Sequence, residues 1–292
     1  MSPKVTVACP VFNADDHLES ELESLLDQSF DDYELFSSDN GSTDRTEEIC
    51  RAFAARDERV RYIRSDENHG LSWNWNTLIR GAQGTYFKCA AHDDLHAHDY
   101  LLRTTEILDT HPDVVLCYPK TMDIDADGDE LGIHPDNLDL QQPTAHERLA
   151  HMLRHMRFCN PIFGVMRTDV LRSTGWMRPY GKADRVLLAE MCLRGKYFEV
   201  PQPLFYRRLF PGRSLEKYAD AAELDRFHST TSREISGYPW TRLFAAHVEA
   251  IRSAPLPAAE QARCFAALLR EWRHYRGAVE EAKAGLRRAV RR

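Results

Sequence analysis

Cys89-Ala90-Ala91-His92-Asp93-Asp94-Leu95-His96 is the stretch on which the reading of this chain turns. Residues 86–91 form a short apolar run with the composition of a strand, and the run delivers two adjacent carboxylates at its end. Two neighbouring carboxylates repel each other unless a cation or hydrogen-bond donors lie between them. Hard oxygen ligands of this kind suit Mg²⁺ or Mn²⁺, which are commonly held by one or two carboxylates together with a substrate diphosphate. Taken alone, the stretch reads equally well as a strand-to-loop turn with solvated acids, because Asp is a common turn residue. Its surroundings have to decide.

Upstream, strand and helix patterns alternate. Residues 4–11 (KVTVACPV) are rich in β-branched side chains and predict a first strand. Leu18, Leu22, Leu25 and Leu26 then recur at helical spacing. Residues 33–38 read as a second strand that runs into Asp39-Asn40-Gly41-Ser42-Thr43-Asp44, and a helix over 45–56 follows with Thr43 or Asp44 as its cap. Residues 60–64 predict a third strand. Asn68-His69-Gly70 predicts a turn, and Trp73, Trp75, Leu78 and Ile79 a third helix before the strand at 86–91. Such alternation argues for a mostly parallel sheet with helices on both faces. Sites in that architecture gather beyond the carboxyl ends of the strands. The polar clusters after Val11, after Ser38, near Asn68 and at Asp93-Asp94 all fall there, which makes one cleft the economical reading.

Composition narrows the field. The chain has 292 residues, 43% hydrophobic and 28% charged, with a formal net charge of −7. That balance argues against a general nucleic-acid binder. No run approaches the roughly 18 apolar residues of a membrane span. The N-terminus passes almost directly into a strand, so no signal peptide is expected. Seven scattered cysteines without a C-x-x-C pair fit a reducing cytoplasm with buried thiols.

Downstream the pattern is less regular. Helices are expected over 100–108 and 145–157, strands over 114–118, 197–200 and 204–207, and a strand-like run over 158–166. Residues 123–129 (DIDADGD) form an acidic turn that lacks the glycine and terminal Glu positions of an EF-hand. His151 and His155 have metal-ligand spacing, but no Glu follows the first, and a solvated helix face accounts for them. Ala183-Asp184-Arg185 opens another helix, with Asp184 at its N-terminus, where an aspartate also serves as a cap. From residue 221 onward the chain reads as helical.

Taken in order, these residues resemble a family-2 glycosyltransferase of the GT-A fold. The resemblance is carried by Cys9-Pro10-Val11-Phe12-Asn13, by Leu18-x-x-x-Leu22-x-Ser24-Leu25-Leu26-x-Gln28-Ser29, and by Ser38-Asp39-Asn40-Gly41-Ser42-Thr43-Asp44. It continues through Asn68-x-Gly70-Leu71-Ser72, Gly84-Thr85-Tyr86, His92-Asp93-Asp94, residues 164–167, Gly175-Trp176, Ala183-Asp184-Arg185 and residues 200–207 (VPQPLFYR), spanning residues 3–215. It implies an α/β, Rossmann-like, mostly parallel sheet with flanking helices and a C-terminal helical extension. Residues 1–120 would bind the nucleotide-sugar, 121–220 the acceptor within the same domain, and 221–292 would be the helical region.

The resemblance further implies inverting transfer of a sugar from a nucleotide-diphosphate donor, a UDP- or dTDP-sugar, to a hydroxyl of a carbohydrate or glycoconjugate acceptor. Pro10, Val11, Phe12 and Asn13 would form the wall under the nucleoside, with Ser72 beside them and Asp39 and Asn40 at the base. Asp93 and Asp94 would hold the ribose and the metal-diphosphate, with Mg²⁺ or Mn²⁺ as the ion. Asp184 would be the general base. A catalytically silent nucleotide-sugar-binding scaffold is the alternative.

Three departures bear on this. Ala91 stands where many relatives carry a further Asp, Asn40 where many carry a second Asp, and Leu209 where a ligating His often follows Tyr-Arg-Arg. Metal duty would then fall on Asp93 and Asp94, with His92 or His96 assisting, or be shared by Arg207, Arg208 or Arg213. In the tail, Leu243, Phe244, Ala246, His247, Ala250 and Ile251, and again Phe265, Leu268, Leu269 and Trp272, recur at helical spacing. They predict helices packed on the catalytic part or on a second subunit of a homodimer. The last twenty residues carry seven Lys or Arg against two Glu. Such an end suits either a helix C-terminus or peripheral contact with the anionic inner face of a membrane.

Overall fold

The structure, a computed structural model, describes residues 2–135, 138–210, 221–231 and 239–290. Arg213 and the side chains of residues 282–292 lie outside what is described.

The alternating N-terminal half forms as its patterning requires: β1 (Val5–Val11), α1 (Leu18–Leu26), β2 (Tyr33–Asp39), α2 (Thr46–Arg56), β3 (Val60–Arg64), α3 (Leu71–Gly81) and β4 (Tyr86–Cys89). β1 is buried throughout because both faces of the sheet are covered. Val5, Val7, Cys9 and Val11 pack with Leu18, Leu22, Leu25, Ile49 and Phe53 of α1 and α2. Ala8 faces the other way, into a cluster with Trp75, Leu78 and Ile79 of α3.

After β4 come β5 (Leu95–His96), α4 (Tyr100–Thr110), β6 (Val114–Ile124), β7 (Glu130–Ile133), α5 (Ala145–His155), β8 (Val165–Arg167), α6 (Thr168–Arg172), α7 (Ala183–Cys192) and β9 (Lys196–Arg208). The last helices are α8 (Ala221–His228), α9 (Pro239–Ser253) and α10 (Ala258–Val290). The sheet runs β3-β2-β1-β4-β8-β6-β9-β5, with β7 added on β6. It is mostly parallel. The ladders among β1 to β4 and between β6 and β9 are the long ones, and each antiparallel ladder has only two or three residue pairs.

Several elements differ from expectation. Residues 158–166 are not one strand: a 3-10 turn, Asn160–Phe163, intervenes, because Pro161 brings no N–H to a ladder and suits a first helical turn. β6 runs on to Ile124 and folds back as β7 through a turn in which Asp125 Oδ1 accepts from the N–H groups of Asp127 and Asp129. The two strands expected over 197–207 are one, its prolines falling where the register with β6 shifts. β5 was not expected: the two residues after the paired acids join β9, Leu95 opposite Tyr206 and His96 opposite Phe205.

α9 and α10 pack on the chain's own α5 and α7. Leu243, Ala250, Ile251, Cys264, Leu268, Tyr275 and Val279 belong to the same core cluster as Ala8 and Phe87. Arg154 with Glu271 (2.6 Å) and His146 with Glu260 (2.9 Å) tie α5 to α10. Leu269, counted above with the apolar face, is 68% exposed. No helix among the described residues is long and apolar enough to cross a membrane.

Candidate active site

A cleft opens where β4 leaves β1. Their ladder covers Val5 to Ala8 and stops before Pro10, so the carboxyl end of β1 has no strand on that side. The cleft measures about 520 Å³ and is lined by Pro10, Val11, Phe12, Asn40, Asn68, Leu71, Asn74, His92, Glu223, Arg226 and Phe227. Pro10, Val11, Phe12 and Asn40 are thus gathered as the sequence led one to expect. Asn40 is pinned by bonds to Asn68, Gly70 and the His69 N–H. Asn68 joins the lining as the polar cluster expected there, whereas Leu71 and Asn74 were missed, as was the whole contribution of α8. Asn74 donates to the carbonyls of Val11 and Ser38, and its buried Oδ1 has no hydrogen-bond partner among the described residues. The reading of the chain from residue 221 onward as helical covered α8 but carried no sign that it faces the cleft.

Of the other expected wall residues, Asp39 and Ser72 are buried and Asn13 is exposed, and none of the three lines the cleft. Asn13, left-handed at φ 47°, accepts the Thr43 N–H and so ties the loop after β1 to the loop after β2. Asp39 is fully buried, accepting from the Ser42 N–H and the Tyr62 hydroxyl and pairing with Arg64 (3.3 Å). Burial, then that carboxylate, pushes the Tyr62 phenol up. Ser72 is turned inward: its hydroxyl donates to the Arg178 carbonyl (2.7 Å) and lies 3.0 Å from His228 Nδ1. With the hydroxyl proton on Arg178, His228 presents Nδ1–H to Ser72, which locks α8 onto α3. Gly70 permits that closeness. It sits at φ +90°, and a Cβ there would lie 2.6 Å from the His228 carbonyl oxygen.

The paired acids separate in role. Asp94 is fully buried, with Oδ1 accepting the backbone N–H of Arg208 (3.0 Å). It ties β9 to the loop that carries the paired acids. Below it lie Lys88, whose burial pulls its pKa down to about 8, and Glu21, whose carboxyl burial pushes up. Glu21 Oε2 meets His96 Nδ1 at 3.3 Å, and burial holds that imidazole well below its usual range. His96 is therefore part of this buried network and not a cleft ligand. Asp93 retains 7% exposure, and its carbonyl accepts from Arg208 Nε. Arg208 also binds the carbonyls of Asp125 and Ala126. Its cation, after burial, depresses the pKa of His17, which also senses Asp93 and His92. Arg207, alternating to the other face of β9, is held by Asp123, Asn160 and His134.

No three His, Cys, Asp or Glu side chains among the described residues gather closely enough to hold a metal on their own. One carboxylate at a strand end with His92 beside it is a donor set that fits a hard cation completed by diphosphate oxygens. Asp184 occupies the first turn of α7, behind Lys182 at φ 71°, and its Oδ1 accepts the Arg185 N–H (2.9 Å). It lies within electrostatic reach of His228 on α8.

The family model for glycosyl transferase family 2 matches residues 6–175. The chain belongs to that family. Among curated relatives it is 36% identical over 170 residues to the uncharacterized glycosyltransferase EpsJ of Bacillus subtilis, which covers 57% of this chain and 47% of EpsJ. It is 37% identical over 98 residues to the glycosyltransferase GlyA of Streptococcus pneumoniae, covering 34% of this chain and 14% of GlyA. It thus spans about half, or less, of the length of these relatives. Among solved structures, S. aureus TarS in complex with UDP superposes with a TM-score of 0.58 at 16% identity, over 97% of this chain and 92% of that one. The mannosyltransferase PcManGT of Pyrobaculum calidifontis, in complex with GDP-Man and Mn²⁺, gives 0.58 at 16% identity, over 98% and 85%. These superpositions establish a GT-A-like fold for this family member.

Proposed function

We propose that the chain transfers a sugar, with inversion, from a nucleoside diphosphate donor seated in the 520 Å³ cleft to a hydroxyl of a carbohydrate or glycoconjugate acceptor. The observation that carries this is the convergence of three parts at one end of the sheet. They are an apolar wall with amide edges (Pro10 to Phe12, Asn40, Asn74), a carboxylate (Asp93) next in sequence to the cleft-lining His92, and a second carboxylate (Asp184) within electrostatic reach of His228 on the helix that closes the cleft. The nucleobase stacks on the wall and pairs with the amides of Asn40 and Asn74. UDP- or dTDP-sugars suit it, and the complexes of TarS with UDP and UDP-GlcNAc support a uridine donor.

Asp93, with His92, would hold a divalent ion, which when bound supplies Lewis-acid neutralisation of the leaving diphosphate. Arg208, buried against Asp93, adds a fixed positive charge on the same side. Asp184 accepts the proton of the acceptor hydroxyl as its oxygen forms the new bond to the anomeric carbon. The bond from that carbon to the diphosphate breaks on the opposite face, and the nucleoside diphosphate leaves with the electron pair. One base suffices for inversion.

Asp184→Asn tests the assignment. Asn keeps the acceptor for the Arg185 N–H but takes no proton. Transfer is expected to fall by about 10² to 10⁴, while thermal stabilisation by UDP persists. Normal transfer by this variant would place the base elsewhere. UDP binding by the wild type without any donor hydrolysis or transfer would favour the silent scaffold.

A further inference from the structure

Beside Lys182 lies a second groove of about 280 Å³, lined by Trp240, Arg273, Arg276, Gly277 and Glu280. Lys182, two residues before Asp184, forms its border: its Nζ lies 3.7 Å from the Trp240 ring centroid and 3.9 Å from Glu280 Oε1. The groove is built rather than incidental. Trp240 is held edge-to-face by Trp272 and Tyr275 at 82° and 85°. Tyr275 is fully buried, and its hydroxyl takes a bond from Arg185, the neighbour of the proposed base. Arg276 lies 5.5 Å from the Trp240 centroid, and neither Arg273 nor Arg276 forms an ion pair among the described residues.

Gly277 is the second independent sign. It lies inside α10, where glycine costs about 1 kcal/mol relative to alanine. No packing among the described residues requires it, since a Cβ placed there would meet none of them within 4 Å. A helix that carries glycine without a steric reason, facing an aromatic side chain and two unpaired guanidinium groups, keeps a floor open for something else. Arg273, Arg276 and Lys182 outweigh Glu280 in charge, so the occupant is anionic. Arginine's planar fork matches a carboxylate or phosphate, and a tryptophan flank suits the apolar face of a sugar ring.

We propose that this groove binds an oxyanion-bearing segment of the acceptor glycan, a uronate or a sugar phosphate, and so aligns the accepting hydroxyl with Asp184. The proposal rests on Asp184 being the base. It places that residue between the donor cleft, reached through α8, and the acceptor groove, reached through Lys182. It would make the carbohydrate acceptor a polyanion and the C-terminal helices its specificity element.

The test is binding without turnover, so it stands apart from the assignment of Asp184. The full chain is titrated with a uronate oligosaccharide, a polyol-phosphate oligomer and a neutral oligosaccharide of equal length, followed by tryptophan fluorescence at low and physiological salt. One or both anionic probes should bind with an affinity that falls as salt rises, and the neutral one should not. The double variant Arg273→Gln/Arg276→Gln should weaken anionic binding about ten-fold or more, as expected for losing charge-assisted hydrogen bonds. Gly277→Leu, which fills the floor at a better helix former, should do the same while raising the melting temperature. In both variants the thermal shift with UDP should be unchanged. Equal binding of neutral and anionic probes, or variants that bind like the wild type, would overturn the proposal. So would binding of the wild type to anionic vesicles alone, lost in the double variant, which would assign the groove to a lipid headgroup.

Discussion

Asp93 and Asp94 are neighbours in sequence and opposites in environment. Asp94 is fully buried and bonded to a backbone N–H of β9, and Asp93, next to the cleft-lining His92, retains 7% exposure. Asp93→Ala should therefore leave the fold intact and remove the effect of Mg²⁺ or Mn²⁺ on UDP binding, measured by calorimetry with and without the ion. Asp94→Ala should instead lower stability by about 1–3 kcal/mol, because a buried donor is left unmet, and a denaturant titration reads that loss directly. Equal stability of the two variants would mean that the pair shares one role. Sequence spacing could not separate them: both lie in the turn between β4 and β5, and which one meets a backbone N–H depends on β9, more than a hundred residues away.

α8 shows the same dependence one level up. The N-terminal loops supply half of the cleft lining and α8 supplies much of the rest, held by the Ser72–His228 contact and by the absence of a side chain at Gly70. Gly70→Ala would meet the His228 carbonyl at 2.6 Å and a backbone conformation that L residues avoid. α8 should be displaced, raising the dissociation constant for UDP about ten-fold, near 1.4 kcal/mol, with the core unfolding transition little changed. A variant that binds UDP as tightly as the wild type would show that α8 is not part of the donor site.

α9 and α10 share the core of the sheet, so the molecule should unfold as one unit. Leu268, fully buried in the joint cluster, should cost about 2–5 kcal/mol when changed to Ala, with tertiary and secondary signals moving together. Separate transitions would mean that the C-terminal helices form an independent layer. Acid should act on the whole molecule as well. Burial lowers the pKa of His228 and of His247 from 6.5 to about 4. The unfolded chain therefore takes up protons that the folded chain refuses between pH 6.5 and pH 4, and stability falls as pH drops through that window. His247 Nδ1 donates to the Leu243 carbonyl and its Nε2 is buried without a partner, so the ring is neutral in the fold. His247→Leu should make the loss of melting temperature from pH 6.5 to 4 shallower than in the wild type. An identical slope would remove this imidazole from the account.

The sequence by itself determined the parallel half of the sheet, the position of the cleft at its strand ends and the family. Each of these is local: a two-residue period in β1, helical spacing in α1 to α3, and polar loops at fixed offsets, all read within a window of a few residues. It also singled out Pro10, Val11, Phe12, Asn40, Asp93 and Asp184, because residue type and order carry them. Only the tertiary structure decided that Asp39 and Ser72 are buried behind the wall, that Asp94 is buried against β9, and that His228 of α8 and Tyr275 of α10 come within electrostatic reach of Asp184. Those outcomes depend on which distant backbone lies within hydrogen-bond reach, as Arg208 does for Asp94 and His228 for Ser72. Such long-range pairings leave no period or spacing in the chain, because the partners are joined by packing and not by sequence.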